Sequence, residues 1–224
     1  MIISASHIEA GYARPGRKPK QVLQDFSLSI ESGGINAIVG ENGAGKSTFL
    51  KLCLGFLRPA SGTLKVLGAV PGTRTFRKTL LRIGYVPQES GGGGIPLTVR
   101  EAAALSRCGM RGLFKKLDDT DRRAVDRALD SVGLLPLSEQ LAGELSGGQA
   151  QRLAIARALA MEGELLLMDE PTANLDAHCK GEIEQIIKET KRQGMTTVIV
   201  SHDREISAYC DRVYHFIDGK AVEV

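Results

Sequence analysis

The sequence predicts an α/β fold: a mainly parallel sheet, extended by an antiparallel β part at the N-terminus and interrupted by an all-helical insertion. Three observations carry this prediction. Short Val- and Ile-rich runs closed by Gly or Asp alternate with longer amphipathic segments, the pattern of strands and crossover helices. One such run leads straight into a glycine-rich turn and a helix, while the stretch from about residue 98 to 161 has helical periodicity instead. With 224 residues, 42% of them apolar, the chain has material for a substantial buried core.

Taken in order, residues 2–12 and 22–30 read as an antiparallel pair joined by the basic segment 14–20. Strands follow at 35–39, 82–86, 165–168 and 196–200, and a helix at 46–55 follows the first of them. The insertion contains helices at 99–107 and at 121–132, where Ala124, Val125, Ala128, Leu129 and Val132 recur at helical spacing, and a last helix after Leu145. Residues 212–217 and 220–224 form a hairpin, because Asp218-Gly219 supplies the positive φ of a tight primed turn. This divides the single domain into an α/β core, 1–90 with 162–224, and a helical part, 91–161. The boundary falls at four glycines, 91–94, which lose the most backbone entropy on ordering and fit a surface loop and a hinge equally.

Composition excludes several classes. Net charge is +3, but the segment 14–20 (RPGRKPK) holds four cations and no acid, so the rest of the chain stands at −1. Aromatic residues are 4% and tryptophan is absent, against the spread cations and stacking side chains of a nucleic-acid binder. The segment reads first as a solvated, proline-stiffened loop and second as a contact for a membrane or a partner. No stretch approaches the roughly 20 apolar residues of a membrane span, and the N-terminus lacks the charged and apolar regions of a secretory signal, which predicts a cytosolic chain. Cys53, Cys108, Cys179 and Cys210 lie far apart without a CxxC pair, predicting buried free thiols.

Residues 40–48 read GENGAGKST, a match to GxxxxGK[ST] after a strand and before a helix. Such a loop wraps a polyphosphate in backbone N–H groups. Gly40, Glu41, Asn42, Gly43, Ala44 and Gly45 form the turn, with Gly43 and Gly45 free of a Cβ, and the amides of residues 45–48 open a helix whose dipole favours anions. Lys46 is placed to meet the β and γ phosphates, Ser47 to bind Mg²⁺, and Thr48 to complete the ATP cradle. The dinucleotide fingerprint GxGxxG fails, since the count from Gly43 and Gly45 reaches Thr48. The apolar run 165–168 ends in Asp169-Glu170. Asp169 supplies the carboxylate that a P-loop needs for its metal, and Glu170 a general base for the attacking water, worth about 10² to 10⁴ in rate.

Residues 145–149 read LSGGQ, followed by Ala150, Gln151 and Arg152 and an apolar helix. Ser146 before Gly147 and Gly148 makes an N-cap and a second anion cradle. With Gln88 after a strand, Asn174-Leu175-Asp176 beyond the carboxylate pair, and His202 ending a further strand, the pattern resembles the ABC-type ATPases over essentially the whole chain. The resemblance implies a RecA-like P-loop core and a head-to-tail dimer of two copies that sandwiches two ATP molecules. Each would lie between the P-loop of one copy and Ser146, Gly147, Gly148 and Gln149 of the other. It implies that Tyr12 stacks on adenine, a position that otherwise suits core or turn packing. It further implies that Gln88 touches Mg²⁺ and the attacking water, that His202 bonds the γ phosphate and holds Glu170, and that Asp176 lies at the dimer interface. A Ser-His-Asp triad from Ser201, His202 and Asp203 fails, because consecutive residues do not converge that way.

Within the family, the segments SGTLKVLG at 61–68 and IPLTVREAAALSR from Ile95 resemble subunits that drive uptake of manganese, zinc or iron(II). The four glycines with Glu89 and Ser90 depart from that subfamily, which usually carries acidic or aromatic residues there. The resemblance implies an ATPase at the cytoplasmic face of the membrane, acting on separate permease subunits and indirectly on a solute-binding protein, with no His or Cys cluster for a metal cargo. An efflux system or a soluble non-transport ATPase are the alternative readings.

Overall fold

A computed structural model describes residues 1–14, 17–88, 96–111 and 115–224, and the side chains of all these except 13, 14 and 17–19. The four glycines 91–94 lie outside the described residues. A three-stranded antiparallel sheet contains β1 (Ile3–Arg14), β2 (Arg17–Ile30) and β4 (Ser61–Val66) in the order β2-β1-β4. The main sheet has six strands: β3 (Ile35–Gly40), β5 (Ile83–Val86), β6 (Leu165–Asp169), β7 (Thr196–Ser201), β8 (Arg212–Ile217) and β9 (Lys220–Glu223). Their order is β5-β6-β7-β3-β8-β9, parallel except for β9.

The central parallel strands β3, β6 and β7 are buried on both faces, so they read as nearly continuous apolar runs. Period-two alternation sorts their side chains. Ile38, Leu165, Leu167, Val198 and Val200 face the antiparallel sheet and helix α1 (Lys46–Cys53), whereas Val39, Leu166, Met168 and Ile199 face the helical side. That side holds α3 (Val99–Arg111), α4 (Asp119–Ser131), α5 (Gly147–Leu159) and α6 (Ala177–Arg192); the short α2 (Phe76–Leu80) packs on the other. Arg107 ties three helical elements together. Its guanidinium lies 2.9 Å from Asp121 and 3.2 Å from Glu162, and donates to the Ala160 carbonyl at 3.2 Å.

Pairing sets the level of the strand ends. Val39 lies opposite Ser201, and Val200 opposite Asp169. Gly40, Glu170 and His202 therefore leave three adjacent strands at one edge, the carboxyl edge where ligands of such sheets bind.

Several expectations hold, and several need correction. The 212–224 hairpin forms, with Asp218 at φ +48° and Gly219 at +73°. The N-terminal pair forms as well, but residues 17–20 extend β2, with Tyr12 opposite Lys20 and Arg14 opposite Arg17. The expected loop is thus largely strand, and Pro19 is tolerated because β2 is an edge. The helix predicted at 46–55 ends at Cys53, because Gly55 adopts φ +74°. Helix α4 begins two residues early, since Asp118 and Asp121 form a capping box. Only Cys53 is a buried thiol, and burial pushes its pKa up; Cys108 is exposed, while Cys179 and Cys210 are half-buried, with burial raising Cys210 to about 12. No described helix is long and apolar enough to cross a membrane.

Phe26 of β2, Phe49 of α1 and Phe216 of β8 meet at centroid distances of 4.9 to 5.8 Å, all fully buried, and join the two sheets through the helix that follows the P-loop. Phe26→Ala removes the shared member. It is expected to lower the unfolding free energy by about 3–5 kcal/mol in denaturant titration; a loss below about 1 kcal/mol would show that the triad does not carry this junction.

Candidate functional site

The loop leaving β3 needs glycine for stated reasons. A Cβ on Gly40 would meet the Phe216 carbonyl oxygen at 2.6 Å, and one on Gly45, at φ +103°, would meet Leu23 Cδ2 at 2.6 Å. Gly45 is the N-cap of α1 without a side-chain cap, so the amides of the first turn have no intrahelical acceptor and suit an anion.

Lys46 is buried, 6% exposed, and its ammonium donates to the carbonyls of Gly40 at 2.7 Å and Glu41 at 3.1 Å. It also lies 3.9 Å from Glu170 Oε1. Burial pushes the Lys46 pKa down, against the pull of Glu170 and Asp169. The Ser47 hydroxyl donates to Asp169 Oδ1 at 3.2 Å. Burial raises the pKa of Asp169, and the Ser47 bond opposes that rise. These hard oxygen donors, a hydroxyl beside a buried carboxylate, fit Mg²⁺.

Glu170 sits at φ +51°, a strained conformation for this side chain. Its Oε2 accepts from His202 Nδ1 at 2.8 Å, with that ring nitrogen assigned the proton, from the His202 amide at 3.3 Å and from the Ser201 hydroxyl at 3.3 Å. Glu170 and Gln88 line a cavity of about 210 Å³ with Tyr12, Lys46, Ser47 and Thr48; Asn42, Gly43 and Gly45 line it too. Tyr12 is 37% exposed, so it is not core packing. Its hydroxyl is 3.3 Å from Thr48 Oγ1, and Lys51 Nζ lies 5.6 Å from the ring centroid. Gly40, Glu41, Asn42, Gly43 and Ala44 also border a larger cleft of about 970 Å³, together with His202.

The residues 146–149 and Asp176 do not line this cavity. Ser146 caps α5, its hydroxyl accepting from the Gln149 amide at 3.3 Å while Gln149 Oε1 accepts from the Ser146 amide at 2.9 Å. Asp176 caps α6 by accepting from the Cys179 amide at 2.8 Å. The two helix starts abut, since a Cβ on Gly148 would come 2.6 Å from Cys179 Sγ. Ser146, Gly147 and Asp176 are exposed. Two residues that sequence reasoning did not place in the site are Ser201 and Lys51. The position of Ser201 at the end of a predicted strand beside His202 was the available signal.

The family model described as ABC transporter matches residues 23–173. The high-affinity zinc uptake system ATP-binding protein ZnuC of Bacillus subtilis is 37% identical over 223 residues, covering 98% of this chain and 92% of that protein. Among solved structures, cbiO1 from Clostridium perfringens, part of the ABC transporter complex cbiONQ, superimposes with a TM-score of 0.86 at 30% identity, over 99% of this chain and 86% of that one. A dimeric post-hydrolysis state of the ATP-binding cassette MJ0796 bound to ADP and Pi has a TM-score of 0.84 at 27% identity, over 99% and 97%.

The strain at Gly45 is open to test. Gly45→Ala is expected to cost about 1–3 kcal/mol and to abolish the rise in melting temperature expected for the unsubstituted chain on adding ATP. An unchanged rise would mean that the backbone conformation at Gly45 is dispensable for the ligand.

Proposed function

Because this chain belongs to the ABC transporter family, we propose that its cavity binds MgATP and that two copies, head to tail, hydrolyse ATP to drive solute transport by separate permease subunits. The carrying observation is the convergence on one cavity of a glycine-loop helix start, of Ser47 with Asp169 bonded behind it, and of the restrained Glu170. Lys46 exchanges its carbonyl partners for the β and γ phosphates. Ser47 and Asp169, with Gln88, would hold Mg²⁺, which when bound neutralises charge developing on the phosphates. Glu170 Oε1, which faces Lys46 and the cavity, takes the proton of the attacking water. His202 holds Glu170 and reaches the γ phosphate. Tyr12 stacks on the adenine with Lys51 near its ring.

The exposed capped helix start at 146–149 supplies amides to the nucleotide held by the second copy, and Asp176 lies between the copies. A single chain then carries half of each of two sites. Glu170→Gln is expected to keep ATP binding, to slow hydrolysis by about 10² or more, and to elute as a dimer with ATP in size exclusion. A variant that stays monomeric with ATP and hydrolyses at the unsubstituted rate rejects both assignments.

Similarity to ZnuC along almost the whole chain supports import of a divalent metal ion of the zinc, manganese and iron(II) class, delivered by a solute-binding protein, with this subunit at the cytoplasmic face. In vesicles containing the permease, ATPase activity is expected to rise when metal-loaded binding protein is added. A rate that zinc, manganese and iron(II) all leave unchanged would favour efflux or a soluble role.

A further inference from the structure

We propose that Ser201 is a positioning residue for the hydrolytic carboxylate, fixing the plane of Glu170 jointly with His202; this rests on the reading of Glu170 as general base. Ser201 ends β7 and is 0% exposed. Its Oγ accepts the Asp203 amide at 3.0 Å. That N–H occupies one oxygen lone pair, and the hydroxyl's single proton goes to Glu170 Oε2 at 3.3 Å.

Asp203 is itself held. Its carboxylate accepts from the Glu205 amide at 3.0 Å and lies 3.0 Å from Lys180 Nζ on α6. The path from α6 to the carboxylate therefore runs through groups with little freedom. The His202 ring differs from Ser201 in this respect, since its side chain is 54% exposed and borders the larger cleft. The ring holds Oε2 through Nδ1, which leaves Nε2 for phosphate, but at half exposure it is the less restrained of the two side-chain donors to Glu170. The buried hydroxyl and the His202 amide stay in place, leaving Oε1 toward the cavity, and they oppose relaxation of a residue whose backbone is strained.

The test uses the full chain, with ATP hydrolysis and ATP binding measured separately. Ser201→Ala is expected to lower kcat roughly 10- to 100-fold, the effect of losing a hydrogen bond to a charged group, with KM and ATP-dependent dimerisation unchanged. Ser201→Thr is expected to restore kcat to within about threefold, since it returns the donor. In a Glu170→Gln background, Ser201→Ala is expected to add no further loss, because the carboxylate it acts through is gone. Ser201→Ala at the unsubstituted kcat, an equal loss in ATP affinity, or a full additional loss in the Glu170→Gln background would each overturn the assignment. Glu170→Gln hydrolysing at the unsubstituted rate would instead remove the general base, and the proposal with it.

Discussion

The site depends on the registration of three parallel strands. Val39 opposite Ser201 and Val200 opposite Asp169 bring the ends of β3, β7 and β6 to one level. A slip of one residue would send each apolar side chain to the opposite face of the sheet. Each of these side chains is worth about 1.5–3 kcal/mol when buried, whereas the hydrogen bonds at the strand ends contribute about 0.5–1.5 kcal/mol each. Packing therefore decides the register. The polar constellation of Lys46, Asp169, Glu170, Ser201 and His202 is thus assembled by apolar side chains that take no part in its hydrogen bonds, with the Val200 carbonyl accepting the Glu170 amide at 2.8 Å.

Burial also sets the electrostatics. Lys46 is driven toward its neutral form by burial, and Asp169 likewise, yet each is charged to opposite purpose. In the proposed function a polyphosphate would bring anionic charge to the ammonium and a divalent cation positive charge to the carboxylate, so that binding would offset both desolvation costs at once. Such a pair of opposed, buried groups marks a place where the fold alone is not the most favourable partner.

What sequence could reveal followed from how tightly chemistry restricts residue choice. The loop 40–48, the carboxylate pair and the helix start at 146–149 were readable because phosphate wrapping, metal binding and capping admit few residue types. Strand β4 escaped because only Leu64 and Val66 are buried along it, and α2 because it is five residues long. Helix α6 was unassigned although Ile183, Ile186 and Ile187 share a buried face; its Lys and Glu residues obscure the period. Ser201, His202 and Asp203 are consecutive in sequence and cannot converge as a triad. That Ser201 and His202 would both donate to a third residue, contributed by a neighbouring strand, is a fact of register and not of spacing. The extension of β2 over residues 17–20 is set by their pairing with β1, which composition does not disclose.

The Lys46 ammonium, bonded to the carbonyls of Gly40 and Glu41, ties the end of the glycine loop back to its start. The loop is thereby closed like a lariat by its own side chain. Much of the ordering entropy of a segment rich in glycine is then lost during folding instead of during ligand capture. In the proposed function the same lysine would serve as clasp and as ligand contact, so that the loop arrives at each encounter already shaped and incoming phosphates need only take over a knot that the chain has tied.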